Sequence, residues 1–198
     1  MSPPQSSGRN LESGPHPRNQ PGVLRRPAVL LAIVSLLSLV VRGLWISTPN
    51  ALIFDENYYV NAARRIAGIS VPLGQAYAGF PKGLDPNVVH PPLAKVLMSF
   101  SIRLLGDNPL GWRIPSLVFG SLALLAMYWL AKAAGASRLV AVGAAGIMSL
   151  DNLFVVHGRI ATLDIFVLVF MMAAAALYLR GRWGWAGILL GMGAATKL

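Results

Sequence analysis

Leu93-Ala94-Lys95-Val96-Leu97-Met98-Ser99-Phe100-Ser101-Ile102-Arg103-Leu104-Leu105 is apolar enough to suggest a membrane span but too short to make one. About 13 residues of helix reach about 20 Å, against a hydrocarbon core of about 30 Å. Lys95, Ser99 and Arg103 recur at i, i+4 and i+8, which draws one polar stripe along one face of a helix. That pattern predicts a helix lying in the membrane interface rather than crossing it. The choice decides the topology of everything around it.

Outward from this segment the chain is a series of long apolar runs. Spans are expected at about Ala28–Ser47, with Arg42 snorkelling near one end, then Trp112–Ala131, Leu139–Val156 and Ile160–Leu179. A fifth begins near Trp185 and is expected to be cut short at Leu198, as in a fragment of a longer protein. If Leu93–Leu105 does not cross, the cations Arg9, Arg18, Arg25, Arg26, Lys132, Arg138, Arg180 and Arg182 share one side. The positive-inside rule favours that arrangement and puts the N-terminus in the cytoplasm. The loop at about 48–111 and the turn carrying His157 and Arg159 then lie outside. The expected fold class is all-α, a polytopic membrane helix bundle with interfacial amphipathic helices in that first outer loop.

Composition agrees. The 198 residues are 55% hydrophobic and only 12% charged, where soluble domains carry about 25% charged residues. The net charge of +10 is scattered between apolar runs, so it reads as loop and headgroup charge rather than a nucleic-acid face. There is no cysteine, which excludes disulfides, thiol catalysis and Cys-ligated zinc. Residues 1–26 are rich in Pro, Ser, Gly, Asn and Arg and are expected to be a disordered cytoplasmic tail. Residues 27–198 form the membrane module.

The polar residues concentrate in the outer loop and at span ends. Asp55 and Glu56 precede a short amphipathic helix at Asn57–Ala67. Asp55 can cap that helix, or it can serve as a general base toward a hydroxyl. His90-Pro91-Pro92 opens the interfacial helix, with Lys95 one turn on. Arg113, beside Trp112, is either an interfacial anchor or a phosphate-binding guanidinium. Asp151, Asn152, His157, Arg159 and Asp164 form a third group. Asp164, a turn inside a span, requires a partner, and Arg159 is one choice.

Taken in order, Phe54-Asp55-Glu56, Val89-His90-Pro91-Pro92-Leu93-Ala94-Lys95, Gly111-Trp112-Arg113-Ile114-Pro115-Ser116 and Arg159-Ile160-Ala161-Thr162-Leu163-Asp164 resemble the N-terminal half of the protein O-mannosyltransferase family. Ala195-Thr196-Lys197 is similar to that family's next motif. The family lies in the GT-C group of lipid-linked-sugar transferases, so the resemblance implies a GT-C bundle covering about residues 28–198. It implies an inverting transfer of mannose from a polyprenyl-phosphate carrier to a Ser or Thr hydroxyl of a secreted or membrane protein. It further implies Asp55, with Glu56 beside it, as the base, and Arg113, His90, Lys95 and Arg159 around the donor phosphate. Asp164 supports the site, and neither a metal nor a nucleic-acid partner is expected. The implied place is the plasma membrane, with the site on its outer face. Aminoarabinose transferases share the acidic loop and the Pro-Pro-Leu element, often after Lys rather than His, and remain the alternative. A non-catalytic membrane subunit or transporter fragment is the further one, although transporters carry their charges near the midplane.

Overall fold

A computed structural model describes residues 26–197. The tail expected at residues 1–26 therefore lies outside the described residues except for Arg26. Eight helices follow: α1 (Pro27–Gly43), α2 (Glu56–Ile66), α3 (Leu93–Leu105), α4 (Pro109–Ala133), α5 (Arg138–Leu150), α6 (Asn152–His157), α7 (Asp164–Leu179) and α8 (Trp183–Ala194). No strand occurs among the described residues.

The central element is α4, flanked by α7, α5, α3 and α1, with α8 against α7 and α2 against α3. Its start is well specified. Asn108 accepts from the Leu110 and Gly111 amides at 3.0 and 3.2 Å, and Pro109 occupies the first turn, where no amide partner is lost. The corner between α3 and α4 depends on glycine twice. Gly106 has φ +89°, and a Cβ on Gly111 would sit 2.1 Å from the Gly106 carbonyl oxygen. Where α4 meets α7, Phe119 stacks on Phe166 and Phe170 at centroid distances of 4.4 and 5.7 Å. Small residues at helix contacts, such as Ala123 and Ala126 on α4, Ala141 and Ala145 on α5 and Ala174 and Ala176 on α7, are buried. They let backbones approach closely.

Among the described residues α4 alone is long and apolar enough to cross a membrane unaided. The apolar helices α1, α5 and α7 have 17, 13 and 16 residues. Three of the expected spans are thus trimmed, for local reasons, while that at Trp112–Ala131 lengthens to Pro109–Ala133. Leu139–Val156 breaks at Asp151, whose extended backbone ends α5 and whose carboxylate caps α6 by accepting from the Phe154 amide at 2.8 Å. Ile160–Leu179 begins with a turn, and its helix starts only at Asp164.

Two expectations about polar side chains are corrected. Arg42 does not snorkel; it is fully buried. Its guanidinium donates to Ser38, to the Leu117 and Gly158 carbonyls and to Ser121 Oγ, and lies 5.3 Å from the Phe154 ring. On α3 the first two residues of the polar stripe face into the protein rather than outward. Lys95 and Ser99 are buried against the protein, while Val96, Phe100 and Leu104 are exposed. Lys95 and Ser99 find their partners inside, while Arg103, the third residue of the stripe, is exposed and donates to the Ala67 carbonyl at 3.2 and 3.0 Å.

Candidate functional site

The loop after α1 returns toward the bundle and turns sharply at Phe54, which has φ +51° and is 74% exposed. Asp55 and Glu56 then start α2, and their neighbours separate them completely. Glu56 is fully buried. Its Oε1 accepts from Arg113 Nε at 2.8 Å and from the Ala161 amide at 2.8 Å; its Oε2 accepts from Arg113 Nη2 at 2.8 Å and the Ile53 amide at 3.0 Å. The remaining Arg113 donors go to the carbonyls of Ile46, Pro49 and Ala51, at 2.8, 3.0 and 3.0 Å. All five guanidinium N–H bonds are thereby used. This pair ties the loop after α1 to α2, α4 and the turn before α7. It leaves Glu56 no free lone pair for a proton and Arg113 no donor for a phosphate, contrary to the expected roles.

Lys95 is occupied in the same way. Its ammonium is fully buried and donates to the carbonyls of Asn87 and His90 at 2.5 and 2.6 Å and to Asp85 Oδ2 at 2.5 Å. Burial lowers its pKa, and Asp85 opposes that shift. Lys95 therefore clamps the 85–90 loop onto α3. Gly111-Trp112-Arg113 is likewise an internal joint, since Trp112 Nε1 donates to Asp107 at 2.6 Å beneath the Arg64 guanidinium.

Asp55 stands apart. It occupies the cap position of α2 but makes no side-chain cap bond, and it has no ion pair among the described residues. The capping explanation for this residue is removed. One turn on, Tyr59 is buried with its ring 6.0 Å from that of His90. Its phenol is pushed up to about 12, by burial first and then by the charges of Asp55 and Asp164. Both carboxylates therefore bear on one phenol. Among the described residues His90 Nδ1 is buried without a partner.

Asp164 does not pair with Arg159. Its Oδ1 accepts from Lys197 Nζ at 2.7 Å, and its Oδ2 lies 3.6 Å from His157 Nδ1. The same His157 nitrogen is 2.9 Å from Thr162 Oγ1. His157 and Asp164 form one end of a cavity of about 700 Å3, continued by Met127, Met148, Leu168 and Met172 between α4, α5 and α7. Arg159 faces elsewhere, donating to the Leu44 and Trp45 carbonyls at 3.3 and 3.2 Å. Sequence reading did not assign roles to His157 and Lys197. The available signal was Asp164 itself, a carboxylate inside an apolar segment that required a cationic partner. Among the described residues no group of three His, Asp or Glu side chains gathers in a way that could hold a metal ion.

Residues 106–198 match the family model described as dolichyl-phosphate-mannose-protein mannosyltransferase. A polyprenol-phosphate-mannose–protein mannosyltransferase of Corynebacterium glutamicum is 36% identical over 155 residues, covering 75% of this chain and 29% of that protein. A protein of the same name from Mycolicibacterium smegmatis is 29% identical over 206 residues, covering 85% of this chain and 38% of its own length. The chain thus spans about a third of these curated relatives. The structure of the S. cerevisiae protein O-mannosyltransferase Pmt1-Pmt2 complex bound to the sugar donor shares the fold, with a TM-score of 0.69 and 22% identity over 86% of this chain and 25% of that one. These matches bear out the resemblance drawn from the motifs.

Proposed function

We propose that the protein of which this chain forms part is a GT-C membrane glycosyltransferase that moves mannose from a polyprenyl phosphate to a protein Ser or Thr hydroxyl, with Asp55 as the base. In this reading α1, α4, the α5–α6 unit and α7 cross the bilayer. The apolar face Val96, Phe100 and Leu104 rests α3 on the outer lipid surface, with the N-terminus in the cytoplasm. The plasma membrane is the proposed location.

The observation that carries the reading is the contrast between neighbours. Glu56 is saturated, whereas among the described residues Asp55 keeps a half-buried carboxylate free of partners on the side shared with Asp164. A base must have an open lone pair within reach of a hydroxyl. Asp55 takes the acceptor proton as the hydroxyl oxygen attacks C1 of the sugar from the face opposite the phosphate. The C1–O bond breaks, and the phosphodiester leaves as a phosphomonoester dianion. Lys197 retains two N–H bonds beyond its contact with Asp164, and His157 lines the groove beside that carboxylate. We assign these two to the developing phosphate charge, replacing Arg113 and Lys95. Asp164 holds both in place, and the apolar groove takes the first isoprene units.

The test uses the full-length protein in lipid nanodiscs with polyprenyl-phosphate mannose labelled in the sugar and a Ser/Thr-rich peptide. Label should move to the peptide and survive removal of lipid by extraction. Label that stays on lipid, with turnover only of an aminoarabinose-phosphate lipid, would replace this reading with the related one.

A further inference from the structure

A second cavity, of about 270 Å3, opens where the chain leaves α1. Thr48, Pro49, Arg113, Val156, Arg159 and Ile160 are among the residues that line it. It shares no lining residue with the larger groove. The end of α6 sends His157 toward the groove and Val156 toward this second cavity, which Arg159 also reaches from the turn that follows. Its volume is below the range of about 300–1,000 Å3 usual for drug-sized ligands, which suits a compact group.

We infer that this cavity is a phosphate-anion site, filled by the headgroup of an anionic phospholipid and separate from the site of transfer. Three observations converge on it. First, Arg159 is aimed but unfinished. Nη2 is spent on the Leu44 and Trp45 carbonyls, which fixes the guanidinium, while Nε and Nη1 have no partner among the described residues. Three N–H bonds are thus left to an incoming acceptor. Second, the net charge facing the cavity is positive. Arg113 is neutralised by Glu56 in a buried pair, no carboxylate lines the walls, and Arg159 supplies the excess. A guanidinium held by backbone carbonyls suits phosphate oxygens well. Third, the chain adjoining the cavity, next to Ile53 and at the Trp45 carbonyl that holds Arg159, has the character of a lipid interface. Trp45 and Phe54 are 75% and 74% exposed. They adopt φ of +52° and +51°, a backbone region that bulky residues rarely enter. Aromatic side chains at this level anchor in headgroups, and Leu36, Leu37, Val40 and Val41 continue the apolar surface down α1.

The inference rests on the membrane placement proposed above but not on the transfer chemistry. A protein that fails to transfer mannose could still carry this site. Native mass spectrometry of the full-length protein in neutral detergent tests it, with separate titrations of phosphatidylglycerol, phosphatidylcholine, inorganic phosphate and polyprenyl phosphate. Phosphatidylglycerol should be retained in preference to phosphatidylcholine. Arg159→Gln should weaken that retention by about 10- to 100-fold, the share of a charged hydrogen bond, and Arg159→Lys should restore part of it. Thr48→Asp, at an exposed position, places a carboxylate on the cavity wall without touching Arg159 and should weaken it as well. Inorganic phosphate held as tightly as phosphatidylglycerol, with the same dependence on Arg159, would support the anion site but assign it to a soluble phosphate. Unchanged phosphatidylglycerol retention in both Arg159→Gln and Thr48→Asp would overturn the proposal. So would selective loss of polyprenyl phosphate in Arg159→Gln, which would return Arg159 to the donor site.

Discussion

Replacing Glu56 by Gln would leave the Arg113 guanidinium in a fully buried place without its counter-charge. Removing one partner of such a pair costs about 3–5 kcal/mol, so Glu56→Gln should lower the unfolding midpoint in detergent sharply. Asp55→Asn, next in sequence, touches no hydrogen bond and should leave that midpoint nearly unchanged. The comparison separates a joint from a reactive group, which the Asp-Glu dipeptide alone does not. Tyr59 gives a pH window with a definite sign. Its phenol titrates at 10.0 ordinarily and at about 12 in the folded chain. Between those values the unfolded chain has released the proton and the folded chain still holds it, so this contribution to stability falls as pH rises. Tyr59→Phe should remove that part of the slope, measured as unfolding midpoint from pH 9 to 12. A slope unchanged by Tyr59→Phe would contradict the assignment.

At the level of elements, the buried Arg42 depends on two missing side chains. A Cβ on Gly120 would lie 1.7 Å from Arg42 Nη1, and one on Gly158 would lie 2.9 Å from Arg42 Cδ. Gly120→Ala must therefore displace the guanidinium from the Leu117 and Gly158 carbonyls and loosen α1 from α4 and the turn after α6. Overpacking of this kind costs about 1–3 kcal/mol. The thermal midpoint of Gly120→Ala should fall, while Gly143→Ala, where a Cβ meets nothing within 4 Å, should leave it in place. Helix α3 shows what periodicity can and cannot reveal. The extent Leu93–Leu105 was legible from the apolar run and its flanking prolines and glycine. The direction of the polar stripe was not, because Lys95 turns inward to meet Asp85 and two carbonyls from a loop whose course the sequence does not disclose. For the same reason Arg42 read as an interfacial cation: its partners come from α4 and from the turn after α6.

For the molecule as a whole, topology is open to direct measurement by single cysteines placed within these 198 residues, which hold none of their own. Leu105→Cys at the end of α3 should react with an impermeant maleimide from the outer side, and Ala134→Cys beyond α4 only after permeabilisation. The reverse pattern would invert the proposed orientation. The broad class was legible from sequence, since apolar runs and ordered motifs do not depend on distant contacts. The division of labour among the charged residues was not. Arg113, Lys95 and Glu56 fit the pattern of a phosphate site, yet each is satisfied internally by groups 3 to 105 positions away in the chain. Lys197 and His157 meet at Asp164 only through the packing of α7 and α8. Asp55, alone among these carboxylates, is proposed to take the acceptor proton. This role is tested by single-turnover transfer from polyprenyl-phosphate mannose in the full-length Asp55→Asn protein, with donor binding measured in the same membranes. Donor affinity should stay within a few-fold of the unmodified protein while the rate falls by roughly 10²–10⁴, the usual share of general-base catalysis. A near-normal rate in Asp55→Asn with intact donor binding would contradict the account.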